Sequence, residues 1–210
     1  MKIRKLGPDT LEACAAEASD VLKAGGVILF PTDTLYGLGA DALSDEAVQK
    51  IYDIKGRDEK KPIHGIASDV NMLEVYGVLS DIGRTIAQRF FPGPLTLILE
   101  KRPEFDSGIT KGIATIGFRI PNNEFDREVA RVFGRPYTAT SANIAGQKPQ
   151  RSLGAILAQL GPAIAMIDIA FDAGELPQSE PSTVIDVSSD EAVVLRNGAI
   201  PSSEILAALD

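Results

Sequence analysis

Val27-Ile-Leu-Phe30, running directly into Pro31-Thr-Asp-Thr-Leu-Tyr-Gly-Leu-Gly39, sets how the rest of the chain is read. The short apolar run ending at a proline reads as a buried strand that opens into a loop. That loop carries two hydroxyls, a carboxylate and a phenol, with Gly37 and Gly39 allowing close backbone approach. A turn stabilised by its own side chains would use the same residues. Upstream, Leu11, Ala15, Ala18, Val21 and Leu22 recur at helical spacing after Asp9 and Glu12, and Gly25-Gly26 stop the helix.

Downstream, Ser44 begins a second helix that ends near Lys55-Gly56-Arg57. Strands are expected near Ile63–Ala67, Leu95–Glu100 and Thr115–Ile120, and helices around Asn71–Val75, Asp81–Phe90 and Glu124–Phe133. Tyr137–Thr140 reads as extended and Leu153–Leu160 as helical. Three strand-like runs follow, Ile164–Ile169, Thr183–Val187 and Val193–Arg196, before a short helix led by Ser202-Ser203. Strands alternate with helices early and follow one another late. This order predicts an α/β fold with a mixed, twisted open sheet and flanking helices, not a doubly wound parallel sheet. No internal repeat is visible. The stretches at Phe91–Pro94 and Gly174–Pro181 are too short for linkers, so residues 1–210 read as a single domain.

The 210 residues are 44% hydrophobic and 24% charged, which suits a real core and excludes disordered and low-complexity classes. Twenty-one Lys plus Arg against twenty-nine Asp plus Glu give 21 − 29 = −8. Such a balance argues against a globally basic nucleic-acid coat and leaves room for a local basic patch. A single cysteine, Cys14, excludes an internal disulfide framework and a thiolate-rich zinc site. The polar N-terminus lacks the apolar stretch of a signal peptide, and no run approaches the ~18 apolar residues of a membrane span. The chain reads as soluble, cytoplasmic and without a membrane partner.

His64 is the only histidine, so a Ser-His-Asp triad would have to use it, and no Gly-x-Ser-x-Gly elbow exists. The remaining metal ligands are carboxylates, which favour a hard ion such as Mg²⁺ shared with phosphate. Gly37-Leu-Gly39-Ala-Asp-Ala42 imitates a dinucleotide fingerprint, but Pro31–Tyr36 separate it from its strand. No Walker A sequence is present.

Lys55-Gly-Arg57 reads either as cations at a helix C-terminus or as a two-cation phosphate clamp. Thr138-Ala-Thr-Ser-Ala-Asn143 ends a strand with small polar groups suited to sugar or phosphate oxygens. Arg119 lies in an apolar strand and needs a partner anion if it faces inward. Pro181-Ser-Thr-Val-Ile-Asp186 and Arg196-Asn-Gly-Ala199 repeat the theme. Together these clusters describe a site for an anionic, phosphate-bearing ligand.

Those segments, with Phe91-Pro-Gly-Pro-Leu-Thr96, Gly117-Phe-Arg-Ile-Pro121 and Thr140-Ser-Ala-Asn143, occur in the order and spacing of the YrdC/TsaC family. The resemblance runs from about Ala24 to Ile200 and is closest to short members that lack an additional C-terminal domain. It implies a YrdC-like fold around a concave, locally positive cavity. It also implies an L-threonylcarbamoyladenylate synthase, a nucleotidyltransferase that joins L-threonine, bicarbonate and ATP into threonylcarbamoyl-AMP and pyrophosphate. Threonylcarbamoyl-transferase proteins would then act on position 37 of tRNA.

By the family's pattern Lys55 and Arg57 are catalytic. ATP would be held by Lys55, Arg57, Lys61, Thr115, Ser141, Asn143 and Arg196, and Mg²⁺ would be carried by its phosphates and not by protein ligands. Threonine would be held by Thr34, Tyr36, Arg119 and Ser182. The segment Lys55–Lys61 is a candidate mobile lid.

The chain departs from the pattern at two places. Ile66 stands where many members carry a histidine, and His64, on the same side of the strand, either replaces it or is structural. Ala145 and Pro149 stand where many members carry serines. Rival readings are a noncatalytic module binding double-stranded RNA or tRNA, a diverged nucleotide-binding paralogue, and a carbamoyl-transfer relative.

Overall fold

A computed structural model describes residues 1–59 and 61–209. The buried run of Ile28–Pro31 (β2) turns back at once as Tyr36–Gly39 (β3), with Ile28 opposite Gly39 and Phe30 opposite Gly37. Half of the expected loop is therefore strand. The glycines permit it, because Phe30 lies across them. A Cβ on Gly39 would fall 2.9 Å from both Ile28 and Phe30 side-chain atoms, and one on Gly37 would fall 3.0 Å from the Phe30 ring.

The remaining strands are Lys2–Lys5 (β1), His64–Ile66 (β4), Gly77–Val78 (β5), Leu95–Lys101 (β6), Thr115–Arg119 (β7), Tyr137–Ser141 (β8), Ile169–Asp172 (β9), Thr183–Asp186 (β10) and Val193–Arg196 (β11). They join one sheet in the order β1-β9-β2-β3-β8-β4-β7-β6-β10-β11, with β5 beside β6. Parallel pairs (β1/β9, β9/β2, β4/β7, β6/β10) alternate with antiparallel ones, so the sheet is mixed as the element order predicts.

One strand was not foreseen and one expectation fails. The polar N-terminus forms β1, which the hydrophobic pattern could not reveal because all four of its residues are exposed on the sheet edge. The run Ile164–Ile169 is not a strand. Pro162 opens a 3₁₀ segment over Gly161–Met166, and β9 begins only at Ile169. A short apolar run does not by itself distinguish the two.

The helices are Leu11–Lys23 (α1), Asp45–Lys55 (α2), Val70–Tyr76 (α3), Asp81–Phe90 (α4), Glu124–Phe133 (α5), Leu153–Leu160 (α6) and Ser202–Leu206 (α7). None of the described helices is long and apolar enough to cross a membrane. Period-two alternation decides what each sheet face does. On β6, β7 and β10, Leu95, Leu97, Leu99, Ile116, Phe118 and Ile185 enter the core that also contains Ile51 of α2 and Ile86 of α4. Their neighbours Thr96, Ile98, Thr115, Gly117, Arg119, Val184 and Asp186 point the other way. On that second face α1 and α5 cover Phe30, Ile66, Tyr137 and Phe171. The part beyond those helices stays open, and there the polar residues collect.

Candidate active site

The open part of the sheet forms a cavity of about 410 Å³. Of the eleven residues singled out in the sequence, Thr34, Tyr36, Arg57, Thr115, Arg119, Ser141, Ser182 and Arg196 border it, whereas Lys55, Lys61 and Asn143 do not. The β2–β3 hairpin, the segment after α2, and strands β4, β6, β7, β8, β10 and β11 all contribute to the wall.

Arg119, at the end of β7, is 4% exposed. Its Nη1 donates to Thr34 Oγ1 at 3.1 Å and its Nη2 to Asp33 Oδ1 at 2.5 Å. The other Asp33 oxygen accepts from Asn122 N at 2.9 Å. The anion that the sequence sought in a ligand is thus already supplied by Asp33, a residue the sequence reading did not single out. Arg119 Nε is buried and has no partner among the described residues. Thr32 stiffens the same turn: its Oγ1 donates to Leu35 O at 2.8 Å and accepts from Thr34 N and Leu35 N. The turn reading of this loop therefore applies, in a turn whose Thr32 and Thr34 also border the cavity.

Lys55 and Arg57 part company at Gly56, whose left-handed backbone (φ 56°) ends α2. Lys55 turns inward, 2% exposed, and its Nζ donates to Ser141 O, to Asn143 O at 2.9 Å and to Asn143 Oδ1 at 3.3 Å. Burial, then repulsion from Arg57, brings its ammonium down to about 7, while the three acceptor oxygens favour the charged form. Lys55 therefore holds the end of β8 in place and does not face the cavity.

Arg57 does face it, with its Nε and Nη2 on the carbonyls of Lys61 (3.3 Å) and Pro62 (3.1 Å). Lys61 supplies that carbonyl from an exposed position. Within the candidate lid, Lys60 lies outside the described residues. Asn143 accepts from Ser141 Oγ and donates to the carbonyls of Ile144 and Gln147, closing the turn after β8.

Across the cavity, Arg196 Nη2 donates to Ser182 O (2.8 Å) and Ser182 Oγ (3.1 Å), and Ser182 Oγ lies 2.9 Å from Thr96 Oγ1. Burial, then Arg119 and Arg57, lowers the Arg196 pKa. Tyr36 Oη donates to Gly174 O at 2.8 Å and accepts from Ala173 N at 3.0 Å, so its ring shapes the wall while its hydroxyl is engaged elsewhere.

His64 borders the cavity, and its partial exposure is to that space. Burial and then Arg119, Arg196 and Arg57 bring its imidazole down to about 3, so it is neutral at physiological pH. Ile66 faces the same side of β4 but is sealed under α5 with Phe125 and Tyr137.

Three guanidiniums thus face one space in a chain of net charge −8. Asp186 is the one carboxylate bordering it among the described residues, and its Oδ1 already accepts from Ser188 N and Oγ. No group of three or more metal-ligating side chains occurs among the described residues. The sequence reading missed Asp33 and Thr96 because their roles depend on partners distant in the chain, whereas Thr32 bonds only within its own turn. The signal available for Thr96 was a threonine alternating with leucines on a buried strand.

The family model Sua5/YciO/YrdC, described as telomere recombination, matches residues 20–198. The chain belongs to the Sua5/YciO/YrdC family. Among members of that family, the threonylcarbamoyl-AMP synthase of Bacillus subtilis is 35% identical over 196 residues, covering 92% of this chain and 56% of that protein. The structure of Pyrococcus abyssi Sua5 complexed with L-threonine aligns with a TM-score of 0.89 at 32% identity, over 99% of this chain and 60% of that one. E. coli YciO aligns with a TM-score of 0.82 at 25% identity, over 94% and 96%. The chain therefore spans little more than half the length of the first two relatives and nearly all of the third. The mixed sheet expected of a YrdC-like fold is the one observed.

Proposed function

We propose that this member of the Sua5/YciO/YrdC family is a threonylcarbamoyl-AMP synthase that converts L-threonine, bicarbonate and ATP into threonylcarbamoyl-AMP and pyrophosphate. The observation that carries the reading is the convergence of Arg57, Arg119 and Arg196 on one cavity in an otherwise acidic chain. Polyanion binding needs that charge, and the names of the relatives supply the reaction.

The threonine amine attacks the carbon of bicarbonate, a C–O bond breaks and water leaves, giving a carbamate. A carbamate oxygen attacks the α-phosphorus, the bond from that phosphorus to the α,β-bridging oxygen breaks, and pyrophosphate leaves. Such a displacement requires alignment and charge neutralisation more than a protein nucleophile. Arg57 and Arg196 would face the triphosphate, with Thr115 and Ser141 beside the nucleotide. Arg119 and Thr34, with Ser182 and the Tyr36 ring, would receive the amino acid, its carboxylate meeting a guanidinium already balanced by Asp33.

Lys55 and Asn143 act by fixing Ser141, and Lys61 by presenting its carbonyl to Arg57. A neutral His64 adds no further charge to the wall. Enclosure protects the carbamate from water. No carboxylate cluster able to hold a metal occurs among the described residues, and in this reading Mg²⁺ would enter with the ATP phosphates as part of the substrate. In this reading the protein works in the cytoplasm and hands its product to threonylcarbamoyl-transferase proteins acting on tRNA. The test is pyrophosphate release that requires both L-threonine and bicarbonate and is lost in Arg57→Ala. ATP turnover indifferent to threonine would refute it.

A further inference from the structure

Helix α5 carries an acid in its core stripe. Asp126, Val129, Ala130 and Phe133 recur at the spacing of one helix face, and all four are buried. The last three join Phe30, Ile66 and Tyr137 in the apolar cluster under α1 and α5. Asp126 is fully buried, and neither of its carboxyl oxygens has a hydrogen-bond partner among the described residues. An unbonded buried polar group costs stability, so packing alone does not explain it. Nor does capping. Asn123 Oδ1 already accepts from Asp126 N at 3.4 Å, and the Tyr137 hydroxyl donates to the Asp126 main-chain carbonyl at 3.2 Å, not to its carboxyl.

Within electrostatic reach of that carboxyl lies the Arg119–Asp33 pair at the cavity wall. Burial first, and then Asp33, hold the acid well above the usual carboxylate range, against the pull of Arg119 and Arg127. Arg127 is spent on Pro121 O at 2.7 Å. Tyr137 of β8 feels the same acid, and α1 brings only Cys14 as a titratable group among its buried residues. The two carboxyls differ in bonding. Asp33 has both oxygens bonded, to Arg119 Nη2 and to Asn122 N, whereas Asp126 has neither, and Arg119 Nε is buried and free among the described residues. The charge therefore belongs on Asp33 and the proton on Asp126, because two buried carboxylates beside one guanidinium are not both ionised cheaply.

We propose that Asp126 is the reserve counter-ion of Arg119: it stays un-ionised while Asp33 holds the guanidinium, and it sheds its proton to solvent and becomes the partner when Asp33 lets go. The guanidinium is then drawn from the cavity wall into the core, so Asp33 and Asp126 together decide whether Arg119 faces an incoming ligand carboxylate. That consequence rests on the amino-acid reading of the Arg119 side; the shared proton does not.

The test uses Asp126→Asn, Asp33→Asn and the double variant. In infrared difference spectra at pH 7, native minus Asp126→Asn should show the carbonyl band of an un-ionised carboxylic acid, and the same band should be missing from Asp33→Asn. Urea unfolding gives the sign independently. The unfolded aspartate sheds its proton near 3.8 while the folded one keeps it, so above that pH the unfolding constant of the native protein should rise against that of Asp126→Asn, by up to about tenfold per pH unit. Calorimetry with L-threonine alone should find binding weakened about 10-fold in Asp33→Asn and recovered in the double variant, where the ligand is the one carboxylate left for Arg119. An Asp126 carboxylate already present at pH 7 in the native protein, or an un-ionised acid persisting in Asp33→Asn, would overturn the reserve role. So would a double variant that binds no better than Asp33→Asn; should the double variant not fold, the spectra of the single variants decide. Absence of L-threonine binding to the native protein would instead sink the amino-acid reading and leave the shared proton to the spectra.

Discussion

Arg119 shows what a single residue can and cannot disclose. Its place in an apolar strand announced a buried guanidinium, but Asp33 stands 86 positions away and no local pattern links them. Removing one member of a buried pair strands the other's charge. Arg119→Met should therefore cost about 3–5 kcal/mol in urea unfolding, and Asp33→Asn in the same background should recover part of it. Equal stability for the two variants would deny the pairing.

Lys55 makes a second prediction, through pH. The unfolded lysine keeps its proton to 10.5, whereas the folded one releases it above about 7. Across that window the unfolded chain holds more protons, so stability must rise with pH, by up to about 1.4 kcal/mol per unit. The difference in unfolding free energy between the native protein and Lys55→Met should grow between pH 7 and 9.5, and a flat difference would mean Lys55 stays charged. The sequence offered Lys55 and Arg57 either as cations at a helix C-terminus or as one clamp. Gly56 sends them in different directions, a consequence of one φ angle.

At the scale of elements, most helices were legible because caps and apolar spacing agree. Ser44 Oγ accepts from Ala47 N and Asn123 Oδ1 from Asp126 N, at the starts of α2 and α5. Strands were legible where a run of apolar residues announced them, buried as in β6 or largely exposed as in β11, and illegible where charged residues interrupt it, as in β1. β3 was hidden for another reason: its glycines look like loop residues until Phe30 is laid over them. The same close packing at Gly198 predicts that Gly198→Ala pushes against Pro181 O and disturbs both Ser182 and Arg196. It should lose more than about 1 kcal/mol of stability and weaken nucleotide binding measured by calorimetry. Gly154, exposed in α6 with nothing within 4 Å of its Cβ position, is the contrasting case. There alanine should stabilise by about 0.4–1 kcal/mol, and a loss instead would count against the helix as described.

For the whole molecule, the order of elements disclosed a mixed sheet but not its strand order, because neighbours such as β2 and β9 come from opposite ends of the chain. The cavity's existence was inferred from scattered clusters, and what unites them is sheet alternation, which sends Thr96, Arg119 and Asp186 to one face. Its charge runs against that of the whole chain. ATP affinity should consequently fall as salt rises from 50 to 500 mM, less steeply in Arg196→Ala, since exposed long-range attraction is screened within about 10 Å at 0.1 M. An affinity insensitive to salt would place the phosphates away from the three arginines. The most direct measurement of the central claim is pyrophosphate release with ATP, bicarbonate and L-threonine, each omitted in turn, in the native protein and in Arg57→Ala. The account predicts release that needs all three and falls at least about 100-fold in the variant. Release without threonine, or an unimpaired variant, would contradict it.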